Sequence, residues 1–183
     1  MRSKQWLVYL GVLVCSLAPY GTAQHHDPLN DKEIDEMREV ADEPNKRLEL
    51  MVGFARARMA SITQLQADTK SAKDRPMQIH DLLQDFTSLL DEIDDNVDMY
   101  GSHKTDMRKG LKLVIEADSE WELQLRKLKQ QSPPEEVEQY SFVLSNASDA
   151  AKDSADSARK ALQEQNELAK NKKLNKVYSE RTD

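Results

Sequence analysis

Apolar residues recur along this chain every three or four positions, in long runs separated by polar or proline-bearing breaks. The cleanest run lies between Pro76 and Tyr100, where Ile79, Leu83, Phe86, Leu90, Ile93, Val97 and Tyr100 alternate spacings of four and three. That spacing lays them all on one stripe of an α-helix, the a and d seam of a coiled coil. Leu82 and Leu89 widen the stripe, so this helix is expected to have more than one packing partner. Upstream, Leu48, Met51, Ala55, Ile62 and Leu65 make a comparable stripe, preceded by a shorter one of Ile34, Met37 and Ala41. Downstream come Met107, Leu111, Val114, Trp121, Leu125 and Leu128, and then Val137, Tyr140, Leu144, Ala147, Ala151, Ala158, Ala161 and Leu168. The second half of this last stripe is built of Ala, with Ser nearby, which permits close helix approach but buries little apolar area per residue.

The breaks carry their own signals. At Pro44 either one long helix kinks or a second helix starts with the proline in its first turn. Asp74 is placed to cap the helix that begins near Pro76. Gly101 and Ser102 offer a C-terminal glycine followed by a new cap. Ser132-Pro133-Pro134-Glu135 has the form of a capping box with proline at the first helical position. The pattern therefore predicts an all-α fold: an antiparallel four-helix bundle of long amphipathic helices, with helical extensions at both ends. Residues 44–69 form its first core helix, and the last helix runs from 133 to about 175. Segment 31–42 and the end of the last helix are expected to project from the same end and pair. Tyr100 and Met107 share a heptad phase, so the alternative is an elongated three-helix coiled coil with a continuous 76–131 helix. The polar stretch 94–106 belongs at an exposed tip and favours the turn.

The first residues read differently. Met1-Arg2-Ser3-Lys4 is a basic head, Trp6 to Leu17 an apolar run, and Gly21-Thr22-Ala23 a set of small residues suited to signal peptidase. The run is too short for a membrane span, which takes about 20 residues. The expectation is a signal peptide over 1–23, a flexible N-terminus over 24–30, a helical domain over 31–175 and a disordered tail over 176–183. Cleavage removes the single Cys and leaves 24 basic against 33 acidic residues, a charge of −9. A chain without thiols has no disulfide, thiolate nucleophile or Cys-ligated metal. Its acidic balance argues against nucleic acid and anionic membrane surfaces as partners. With no stable membrane span after cleavage, the expected location is periplasmic or extracellular.

Candidate chemistry is sparse. From Pro76 to His103 there is no Lys or Arg, against seven acids between Asp81 and Asp98. These acids fall mostly at outward positions and lack the glycine-centred calcium loop, so they read as a solvated face. Neither His80 nor His103 belongs to the Glu-x-x-His pattern of di-iron bundles. Met37, Met51 and Met107 read as core residues rather than haem ligands. Cleavage after Ala23 would leave Gln24-His25-His26, where the amine, two backbone nitrogens and the His26 imidazole can form a square-planar site for Cu(II) or Ni(II). No catalytic constellation or phosphate loop is present, and no other cofactor is implied.

Two charges interrupt the stripes: Arg58 at a d position and Asp118 at an a position, both near mid-height. They are expected to pair as a buried polar layer that fixes register, with Thr87 and Ser148 close by. The functional expectation is an exported, non-enzymatic binding, scaffold or envelope-stress component, engaging another protein or its own copy through helix faces. The alternative is an exported metal-binding or buffering protein using His25, His26 and the acidic faces.

Overall fold

The computed structural model describes residues 27–68 and 73–179, with side chains described as far as Lys173. Among them five helices form: α1 (Asp31–Glu39), α2 (Pro44–Ala67), α3 (Arg75–Ser102), α4 (Arg108–Gln131) and α5 (Pro134–Ser179). No strand is present among the described residues. The expected signal peptide, His25, His26 and residues 180–183 lie outside the described residues. α5 runs past the expected end at 175.

Helices α2 to α5 make the bundle, and their directions alternate along the chain as the pattern implies. Around the bundle, however, the order is α2, α3, α5, α4. The link from α3 to α4 therefore crosses the diagonal. Cross-links between helices set the registers. Asn45 meets Gly110 and Gln66 meets Ser132, so α2 and α4 run parallel. Arg75 meets Glu136 at the start of both α3 and α5, so these two are parallel as well.

The apolar stripes close on each other with little left over. Leu48, Met51, Met59 and Ile62 of α2, Ile79 to Ile93 of α3, Leu111 to Leu128 of α4, and Tyr140 with Leu144 of α5 line the core. At its centre Phe86 and Trp121 touch edge to face across the diagonal, with ring centroids 5.4 Å apart at 82°. The other two helices contribute small fully buried residues to the core, Ala55 of α2 and Ala151 of α5. The Ala stripe of α5 is what allows it to approach α3 closely; Ala147, Ala151, Ala155 and Ala158 have no exposed surface.

Local chemistry explains most of the helix ends. Asn30 caps α1 in a reciprocal box with Glu33, accepting from its backbone N–H while the Glu33 carboxylate accepts from Asn30. Pro44 occupies the first turn of α2, where its missing N–H costs nothing. Ser132 departs from expectation: it ends α4, and its hydroxyl accepts from the Gln66 amide at 3.0 Å, while α5 starts at Pro134. Asp74 sits at the cap position of α3 without a side-chain hydrogen bond to it.

The turn expected at 101–102 falls slightly later. Gly101 remains helical, and the reversal is made by Lys104 at φ 55°. Lys104 N–H donates to the Gly101 carbonyl and Thr105 N–H to the Tyr100 carbonyl, the paired bonds of a Schellman motif. The left-handed position that glycine usually fills thus carries a lysine. Lys104→Gly should raise the free energy of unfolding by about 1 kcal/mol in urea titrations. An unchanged midpoint would show that this position carries no strain.

The loop that follows is held by two side-chain amides from other helices. Asn45 of α2 accepts from Gly110 N–H at 2.9 Å and donates to the Asp106 carbonyl at 2.8 Å. Gln165 of α5 accepts from Met107 N–H at 3.0 Å and donates to the Thr105 carbonyl at 2.8 Å. Beyond Gln165 the last 14 residues of α5 continue past this loop, about 20 Å at the usual rise.

α1 does not project to pair with that overhang. It doubles back through residues 40–43 and runs antiparallel to α2, over the groove between α2 and α3. Pro44 forbids a continuous helix, and polar contacts described below hold α1 down.

Candidate functional site

The most heavily tied feature outside the core is the seat of α1. Arg58 leaves the core stripe at the edge of α2 and is only 12% exposed at its side chain. Its guanidinium forks onto Glu33 at 2.7 and 2.6 Å, donates to the Pro28 carbonyl, and approaches Asp85 at 3.5 Å. Burial alone would raise the Glu33 carboxyl. Hydrogen bonds from Arg58 and from the Asn30 backbone, with the charges of Arg58 and Lys32, outweigh it and hold that carboxyl below its ordinary value. The hydrogen bond to Glu33 in turn raises Arg58 despite its burial.

At the other end of α1, Arg47 donates to the Met37 carbonyl at 3.2 Å and to the buried Asn96 amide oxygen at 3.1 Å. The Tyr100 hydroxyl donates to the Ala41 carbonyl at 3.0 Å. Between these ties the packing is thin. Within α1 only Glu33 and Met37 are buried. A cavity of about 370 Å³ remains beside the helix, lined by Leu29, Ile34, Met37, Met51 and Leu89, with Arg47 and Glu92 among its polar residues.

Arg58 and Asp118 do not meet, so the polar layer expected between them is absent. The ring order places α2 and α4 side by side, yet Arg58 points toward α1 and α3, while Arg56 faces α4 and pairs with Glu120 at 3.0 Å. Asp118 is taken up by Arg159 of α5 at 2.9 Å. The hydroxyls of Thr87 and Ser148 bond their own helices at Leu83 and Leu144. The heptad pattern showed that both charges break a seam; it carried no sign that a folded-back α1 would supply the partner for one of them.

The acidic face of α3 is mostly exposed, as expected, except at Asp94. Its carboxyl turns toward α5 beside the fully buried Ser154. Burial pushes its pKa up to about 6; the neighbouring Ser154 hydroxyl opposes the shift, and the charges of Asp91, Asp98 and Asp153 add to it. An acid held above its ordinary value of 3.8 binds more protons folded than unfolded, so its ionisation weakens the fold between that pH and about 6. Asp94→Asn should therefore stabilise the bundle by about 1–2 kcal/mol at pH 7 and leave it nearly unchanged at pH 3, read by urea unfolding at both values. A variant no more stable than the parent at pH 7 would contradict this reading.

Metal-ligating residues do not converge among the described residues. His80 lies against Asp81, and His103 sits in the exposed turn after α3. Met51 and Met107 are enclosed core side chains. No family model matches the chain, and none of the curated proteins or solved structures matches it. No described helix is long and apolar enough to cross a membrane.

A second, open groove runs between α4 and α5. Arg126, Lys129 and Lys152 line it with Glu122, over an apolar floor of Leu125, Val137 and Leu144. The α1 seat is the better candidate. It combines a forked cation, backbone contacts and unfilled apolar space.

Proposed function

We propose that this protein is an exported, non-enzymatic binding or scaffold component that engages another protein through a helix face. The observation that carries the reading is the α1 seat: a nine-residue helix lies across an incompletely filled groove on a bundle whose own core closes beneath it. The sequence adds an expected leader over 1–23 and a strongly acidic mature chain. A photo-crosslinking residue placed at exposed Glu92, on the α3 wall of that groove, in the exported protein within its native compartment, should trap a discrete partner chain. The same probe at Gln139, on exposed α5, should not. Equal adducts at both positions, or none at either, would overturn the assignment.

The second reading rests on Gln24-His25-His26. If processing follows Ala23, the mature protein binds Cu(II) with 1:1 stoichiometry in calorimetry, and His26→Ala removes that binding. Heat release unaffected by His26→Ala would end it.

A further inference from the structure

We propose that the groove between α2 and α3 is a docking site for an acidic amphipathic helix of a partner protein, and that α1 is its built-in competitor. The inference rests on the binding reading above and names the partner's chemistry.

The groove itself displays what it accepts. α1 carries Asp31, Glu33, Asp35, Glu36 and Glu39 against Lys32 and Arg38. Its acidic character is used at one point: the Glu33 carboxylate fills the fork of Arg58. A planar guanidinium, little exposed and 3.5 Å from Asp85 of α3, favours a carboxylate over any other protein group. Arg47 bonds a main-chain carbonyl of α1, a contact that any helix laid in the same line could offer. Neither tie depends on the rest of the α1 sequence.

The apolar half of the site is where α1 falls short. Met37 is buried, but Ile34 and Leu29 are only partly so, and the cavity of about 370 Å³ lies among them. The cleft is open to solvent, with Asp27, Arg38, Arg47 and Glu92 sharing its lining, so a larger side chain there would take its apolar wall out of water. A partner helix with a carboxylate at the Glu33 position and a bulkier residue at the Met37 position makes the same clamp and better packing. α1 holds its place through its tether, residues 40–43, which presents it at the high effective concentration of a short linker. Affinity and tether are thereby separated: α1 wins by proximity, and a partner wins by fit.

The test uses the full mature chain and a labelled 17-residue peptide with the sequence of residues 27–43 as the acidic-helix probe. Glu33→Ala in the protein weakens its own α1 anchor and should tighten peptide binding about tenfold or more relative to the parent, since the intramolecular competitor is weakened. Adding Arg58→Ala should abolish that gain, and a peptide carrying Glu33→Gln should bind at least about tenfold more weakly. A peptide carrying Met37→Phe should bind the Glu33→Ala protein more tightly than the parent peptide. The near-ultraviolet signal of Trp121 checks that each variant keeps the bundle core. Binding that ignores Arg58 and Glu33 would overturn the docking site. Dimerisation of the Glu33→Ala protein without peptide would show the occupant to be a second copy instead. Loss of the crosslinked partner with retained peptide binding would count against the wider function and leave the groove chemistry standing.

Discussion

Arg159→Ala should destabilise the bundle by about 2–4 kcal/mol, whereas Asp118→Asn should cost under about 1 kcal/mol. The two residues form one ion pair, so a symmetrical view would give them equal weight. Their surroundings are unequal. The Asp118 side chain is 7% exposed and that of Arg159 47%. Without Arg159 the carboxylate stays enclosed between α4 and α5 with its counter-charge gone, and its desolvation is left uncompensated. Without the charge on Asp118 the guanidinium still reaches water and its other partner, Asp156 at 2.8 Å. Urea unfolding at pH 7 of both single variants and of the double variant decides the matter. The double variant should recover most of the Arg159→Ala loss, because no buried charge remains. Equal costs for the two single changes would show that Asp118 is better solvated than its burial implies.

Gly110→Ala should cost about 2–3 kcal/mol, although glycine inside a helix is normally worse than alanine by about 1 kcal/mol. A methyl group at Gly110 would lie 2.7 Å from Leu48 Cβ and 2.8 Å from its Cδ1, and 3.3 Å from the Asn45 carbonyl oxygen. Rotation about χ1 can move Cδ1 aside but leaves Cβ in place. Relief requires α2 and α4 to separate, and that movement also stretches the Asn45 bond to Gly110 N–H. By contrast, alanine at Gly53 meets nothing within 4 Å and should stabilise by about the normal helical increment. Thermal unfolding of the two variants, compared with the parent, should give shifts of opposite sign.

Much of the architecture was legible because burial imposes periodicity. The stripes of α2, α3 and α4 fell where the spacing put them, and Pro44 opened a helix as one of its two readings required. What escaped was choice of neighbour. An a and d seam states which side of a helix is buried, not which helix covers it, so the ring order and the diagonal link left no trace in the pattern. Arg58 is visible as an anomaly, and its height along the helix points to Asp118. Glu33 looked like one acid among many on a short segment, and its double duty in the Asn30 cap and the Arg58 fork depends on the fold-back at 40–43. Asp94 stands at an e position beside the seam, the exception among acids that lie mostly outward, and is drawn in because Ser154 and the alanines beside it let α5 approach. The stop at Lys104 was hidden by Gly101, the better-suited residue three positions earlier. Nothing local announces that a helix will continue through a glycine and turn on a lysine.

The diagonal crossing also bears on how the chain reaches this state. Each helical hairpin, α2 with α3 and α4 with α5, joins sequence neighbours through a short connection. The hydrogen bonds that unite the hairpins instead link residues about sixty apart: Arg75 to Glu136, Asn45 to Gly110 and Gln66 to Ser132. Closing local loops costs less chain entropy than closing distant ones, so the hairpins gain their contacts early and the parallel seams form late. A folding nucleus confined to either hairpin gives substitutions at Asn45 and in the α5 alanine stripe their main effect on the rate of unfolding. Those seams, rather than the larger side chains of the central core, then set the lifetime of the folded protein.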